Sequence, residues 1–157
     1  MKARFALILF SVCMASGCAA AFGQRLFPVQ GPAAAQTPPP AFTAKLTNIY
    51  RQSGKITLVQ ANGESFQGTW TIVTASFVNA KTPGTPASYP PQPNLAFAWD
   101  AVYGHGYFLA KVLGKQLKQA VVTGDQGTVL QLEYVSAEIF LDGVAVDNKG
   151  NIYKVVL

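Results

Sequence analysis

The sequence predicts an all-β fold, a small antiparallel sheet curled into a barrel or sandwich of about seven or eight strands. Three observations carry this expectation. Short segments alternate apolar and polar side chains with a period of two, which puts one set on a buried face. Polar turns bearing glycine separate those segments. No stretch sustains a 3.6-residue period between helix caps.

In chain order, Ile56-Thr57-Leu58 alternates and is followed by Asn62-Gly63, a pair that accepts the positive φ of a tight hairpin turn. The returning arm places Phe66, Gly68, Trp70 and Ile72 on one face, with Gly68 leaving room for a close neighbour or a bend. From Asn79 to Asn94 the chain carries Pro83, Pro86, Pro90, Pro91 and Pro93, a density no internal strand tolerates, so an exposed loop is expected there. Leu95-Ala96-Phe97-Ala98-Trp99 and Tyr107-Phe108-Leu109-Ala110-Lys111-Val112-Leu113 come next as apolar candidates for strands, with Gly104-His105-Gly106 as a turn between them. Gln119-Ala120-Val121-Val122, the turn Gly124-Asp125-Gln126-Gly127 and Val129-Leu130-Gln131-Leu132-Glu133-Tyr134 form a further hairpin. In its second arm Leu130, Leu132 and Tyr134 face the core, while Gln131 and Glu133 face water, where a carboxyl has no reason to depart from its usual pKa. Gly143-Val144-Ala145-Val146, the turn Asp147-Asn148-Lys149-Gly150 and the segment from Asn151 to Leu157 close the domain, whose strands must curl or close to protect their edges.

The start of the chain has a different logic. Lys2 and Arg4 precede the apolar run 5–14, and the small residues Ala15-Ser16-Gly17 lead to Cys18. This order of charged, apolar and small segments is that of an export signal, and the run is shorter than the roughly 20 residues a membrane helix needs. The division expected is 1–17 signal peptide, 18–43 lipidated cysteine and Ala/Pro-rich tether, and 44–157 β-rich domain. The tether assignment rests on Thr37-Pro38-Pro39-Pro40 and the sparse charge around it, with Leu26-Phe27-Pro28-Val29 as its one apolar island.

Ala15-Ser16-Gly17-Cys18 resembles the lipobox of bacterial lipoproteins, in which the cysteine thiol is the acceptor for diacylglycerol. The rival reading is ordinary signal cleavage within 19–24. With the segments Gly63-Glu64-x-Phe66-x-Gly68-x-Trp70, Gly104-His105-Gly106-Tyr107 and Asp147-Asn148-x-Gly150-Asn151-x-Tyr153, the chain resembles small uncharacterised proteobacterial envelope lipoproteins. That resemblance implies acylation at Cys18, a bilayer as partner, and an outer-membrane location facing the periplasm. It brings no catalytic residues. Acylation of Cys18 would occupy the only thiol beyond the signal, so no disulfide can form within the domain.

Composition narrows the function classes. The twelve basic and seven acidic residues give a formal charge of +5, but the lysines are scattered, with only Lys111, Lys115 and Lys118 close together, so no nucleic-acid partner is expected. His105 is the single histidine, and no Gly-x-Ser-x-Gly elbow accompanies it. A zinc site normally needs three or four ligands, and the phosphate-binding Gly-Lys-Ser/Thr ending is missing. Neither catalytic residues nor a metal or cofactor are therefore expected. Tyr89 on the proline-rich loop, with Trp99, His105 and Tyr107, are the candidate binding residues, since exposed tyrosine and tryptophan favour protein or glycan contacts. The leading expectation is a non-enzymatic component of a cell-surface assembly with a protein partner in the envelope. The alternative is a β-barrel module that binds a glycan or an apolar ligand. A packed interior favours the first, and an apolar cavity with a few convergent polar groups favours the second.

Overall fold

The computed structural model of the chain describes residues 24–48, 51–75, 94–135 and 142–156. The signal segment, Cys18, Tyr89 and the proline-rich loop up to Pro93 lie outside these. Eight strands, β1 (Gln24–Gln30), β2 (Phe42–Leu46), β3 (Ser53–Gln60), β4 (Ser65–Thr74), β5 (Gln116–Gly124), β6 (Val129–Val135), β7 (Gly143–Asp147) and β8 (Ile152–Val156), run in sequence order as an antiparallel meander. Pairing of β1 with β8 closes them into a barrel, which leaves no strand edge. Among the described residues one helix, α1 (Leu95–Tyr103), and a one-turn helix at Phe108–Val112 lie between β4 and β5.

Most of the expected strands are present in the expected phase. Phe66 and Trp70 are buried, Gly68 and Ile72 are half-buried on the same face, and the turn at Asn62-Gly63 has Gly63 at φ +93°. Gly68 sits so close to β5 that a Cβ there would approach Val122 Cγ1 to 2.8 Å. The barrel interior is filled by Leu26, Phe42, Ile56, Leu58, Phe66, Trp70, Leu130, Leu132, Tyr134 and Tyr153 among others. Phe42 stands edge-on to Phe66 at 5.3 Å and to Tyr153 at 5.2 Å, the geometry that ring quadrupoles favour.

Two expectations need correction. The segment 18–43 is not simply a tether, because residues 24–30 form the strand that closes the barrel and Phe42 begins β2 in the core. Its burial alternates over Gln24, Leu26 and Pro28, a period of two masked in the sequence by the surrounding alanine and proline. Pro28 is tolerated because β1 pairs with β2 only from Gln24 to Leu26, and the pairing with β8 shifts register between Pro28 and Gln30. The second correction concerns Leu95–Tyr103 and Phe108–Val112, which are helical on either side of the expected turn at 104–106. Asn94 caps α1 by accepting from the Phe97 amide at 2.7 Å, and Leu95, Ala98 and Trp99 are its buried face at positions i, i+3 and i+4.

The barrel has two unlike ends. The β3–β4, β5–β6 and β7–β8 hairpins gather at one end with the β1–β2 connection, where a short 3₁₀ turn at Pro32–Ala35 buries Ala33. The opposite end gathers the start of β1, the end of β8, the β2–β3 turn and both helices' approach to the barrel.

Candidate functional site

The richest set of side chains sits where α1 lies on the outer face of β6, β7 and β8. A second core forms there from Leu95, Ala98, Trp99, Phe108 and Val112 against Leu117, Val144, Val146 and Ile152. Trp99, Tyr103 and Tyr107 follow one another at four-residue spacing and form one stack, with ring centroids 5.5 Å apart for Trp99–Tyr103 and 4.8 Å for Tyr103–Tyr107. The Asp100 carboxylate accepts from the amides of Gly106 at 3.1 Å and Phe108 at 2.9 Å, which folds the Gly104–Gly106 turn back onto the helix.

Polar links then tie this stack to the barrel. The Tyr103 hydroxyl donates to the Gly143 carbonyl at 3.3 Å and accepts from the Gly143 amide at 3.1 Å, while the Tyr107 hydroxyl donates to Asp142 at 3.2 Å. Lys154 places its ammonium 5.3 Å from the Tyr103 ring centre, within cation–π range. Burial pushes the Tyr103 phenol up to about 12, and burial together with Asp142 raises that of Tyr107. Both therefore stay protonated donors at any ordinary pH.

Glu133 corrects a further expectation. Its alternation does point it outward, but α1 covers that face and leaves it 1% exposed. Trp99 Nε1 donates to one carboxylate oxygen at 3.2 Å and Gln119 Nε2 to the other at 2.8 Å. Burial raises its pKa, and the two donors offset this in part. With both oxygens engaged by protein donors, the arrangement holds α1 in place.

A second polar group plugs the hairpin end. Asp147 accepts from the amides of Lys149 and Asn151 at 2.9 Å each, from Asn151 Nδ2 at 2.7 Å and from the Tyr153 hydroxyl at 2.8 Å. Asn151 in turn accepts from the Ala33 amide at 2.7 Å, and Glu64 accepts from the amide and hydroxyl of Thr128. Burial and the neighbouring Asp147 push the Tyr153 phenol upward. These carboxylates are consumed in joining hairpins.

At the other mouth, the Lys118 ammonium lies 4.7 Å from the centre of the Trp70 ring and 5.8 Å from that of Tyr134. Burial lowers its pKa. On the outside, a shallow groove of about 350 Å³ runs along β1, β2 and β3, lined by Arg25, Ala41, Phe42, Thr43, Val59 and Gln60.

Of the candidate binding residues, the structure brings Trp99 and Tyr107 into one stack and puts His105, exposed, on the adjoining turn. Trp99 is fully buried, so it serves the second core and offers no ring to a ligand. Tyr103, Glu133, Asp142 and Lys154 complete this cluster and were not among the candidate binding residues. The spacing 99, 103, 107 was the signal available for Tyr103. Among the described residues, no group of three or more His, Cys, Asp or Glu is placed to hold a metal ion. No helix among them is long and apolar enough to cross a membrane. Comparison with protein families, curated proteins and solved structures finds no match to this chain.

Proposed function

We propose that this chain is a lipoprotein of the bacterial envelope, acylated at Cys18, whose barrel is a non-enzymatic interaction module of a cell-surface assembly. The observation that carries the interaction reading is the packed interior. Phe42, Phe66, Trp70, Tyr134 and Tyr153 occupy the space that a ligand-binding barrel keeps open. The glycan- or apolar-ligand alternative would thus have to use the outer surface. That surface carries exposed apolar side chains instead, with Phe27, Val29 and Val59 on β1 and β3. Exposed apolar residues grouped on one face favour contact with another protein. The anchor comes from the sequence of 1–18, and outer-membrane placement from Ala19 in the position after the cysteine.

Covalent crosslinking in intact cells tests this, applied to the native protein and to a Cys18-deleted exported form, with captured species identified by mass spectrometry. The expected result is one reproducible protein partner captured more strongly by the anchored form. Equal background capture by both forms would remove the assembly reading.

A further inference from the structure

The one-turn helix at Phe108–Val112 is apolar on two sides. Phe108 and Val112 are buried in the second core, whereas Leu109 and Leu113, also four residues apart, are 59% and 41% exposed. Exposed leucines beside an already packed face favour contact with a further apolar surface. Lys111 and Lys115 are exposed in the same segment, and Arg51 is exposed on the β2–β3 turn at the same end of the barrel. Among the described residues the acidic groups towards this end, Asp100, Glu133 and Asp142, accept hydrogen bonds from the Gly106 and Phe108 amides, from Trp99 and Gln119, and from the Tyr107 hydroxyl. Among the described residues the opposite end carries Glu64, Asp125 and Asp147 with Lys149 beside them. The exposed charge is therefore basic at the Lys111–Lys115 end, whereas at the opposite end Glu64 and Asp147 are buried and the exposed Asp125 and Lys149 balance each other.

The basic end is also the end where β1 starts. Only six residue steps separate Cys18 from Gln24, a reach of about 20 Å at full extension. We infer that the barrel stands on an anionic bilayer through this end, with Leu109 and Leu113 entering the interface and Lys111, Lys115 and Arg51 facing lipid phosphates. The inference rests on the proposed acylation of Cys18, which brings this end to the membrane. Each basic side chain near an anionic surface adds attraction, and leucines at the headgroup boundary add apolar burial. Alone these contacts are weak. With the anchor holding the domain within about 20 Å of the bilayer, they set its orientation and leave the hairpin end pointing away.

The test couples the chain 18–157 through its one thiol, Cys18, to a maleimide lipid in vesicles. Coupling by hand means that failure of acylation in cells and failure of docking on vesicles are read separately. Leu109→Trp and, at the opposite end, Lys149→Trp report contact through quenching by brominated acyl chains, measured against the parent chain with its buried Trp70 and Trp99. On vesicles with about 30 mol% phosphatidylglycerol, the Leu109→Trp emission is expected to fall about twofold, with Lys149→Trp unchanged. Lys111→Glu with Lys115→Glu, added to Leu109→Trp, is expected to abolish the loss, as is about 1 M salt, where the screening length is near 3 Å. Unquenched Leu109→Trp on coupled vesicles, or equal quenching at both positions, would overturn the docking. Quenching that survives charge reversal would overturn the role given to the lysines.

Discussion

Trp99 is the side chain on which the attachment of α1 most depends. It is fully buried, stacks on Tyr103 and Tyr107, and donates to a carboxylate that α1 itself has buried. Two substitutions separate these roles. Trp99→Ala removes the whole ring from the second core and is expected to cost about 3–5 kcal/mol, the range for truncating a buried tryptophan. Trp99→Phe keeps an aromatic ring but leaves Glu133 with Gln119 as its remaining donor, a loss of about 1–3 kcal/mol for a charged buried acceptor. Against a total stability of about 5–15 kcal/mol, the first change removes a large share and the second a measurable one. Urea unfolding followed by far-ultraviolet circular dichroism reads both without relying on tryptophan emission. The Trp99→Phe loss should also shrink as pH falls through the raised folded-state value of Glu133, because a protonated Glu133 needs the donor less. A Trp99→Ala variant within about 1 kcal/mol of the parent, or a Trp99→Phe loss that is the same at all pH, would refute this account of the helix.

Three further perturbations test the rest of the packing. Because burial raises the Glu133 pKa in the folded state, its contribution to stability is fully present below 4.5 and is lost as pH rises through the folded value. Glu133→Gln is expected to be more stable than the parent by about 1 kcal/mol near neutral pH, with the gap closing in acid, as pH-dependent urea unfolding would show. Asp147→Ala strands the Tyr153 hydroxyl and the Asn151 side-chain amide, and should cost about 3 kcal/mol by thermal unfolding. Gly143→Ala would bring a Cβ within 2.7 Å of Tyr134 Cβ and 2.9 Å of Val155 Cβ, so its denaturation midpoint should fall by an amount equivalent to about 1–3 kcal/mol.

What the sequence made legible follows from which residues have a single job. Phe66, Trp70, Leu130, Leu132 and Tyr134 face an interior, so their alternation is plain and their strands were foreseen. β7 and the middle of β6 are buried on both faces, one by the barrel interior and one by α1. There the polar member of the alternation, Glu133, gives the right face and the wrong environment. The helix was missed because Leu95, Ala96, Phe97, Ala98 and Trp99 are all apolar, which hides a 3.6 period as well as it hides a period of two. Asn94 and the 95, 98, 99 spacing were the discriminating marks. β1 was hidden for a different reason. Its proline and glutamine suit a linker, and its role as the closing strand depends on β8, more than 120 residues later, a pairing no local pattern announces. The site was less legible than the fold, since Tyr103 and Glu133 acquire their roles only when α1 crosses the outer face of β6 and β7.

The placement of α1 also decides which surface is left for a partner. By covering the outer face of β6, β7 and β8, it turns what would be a uniform barrel wall into one closed side and one open side. The open side is the outer face of β1 to β5, where Phe27, Val29, Val59 and Val121 stand exposed and the groove of Arg25, Thr43 and Gln60 runs. If the basic end rests on the membrane, the axis of the barrel stands away from the bilayer and this open side faces laterally. With Cys18 acylated as proposed, a protein partner would then meet it within the layer just above the membrane. An anchor on a step as short as 18–24 suits that geometry, because it holds the open side at a fixed height, whereas a long tether would let the barrel turn freely.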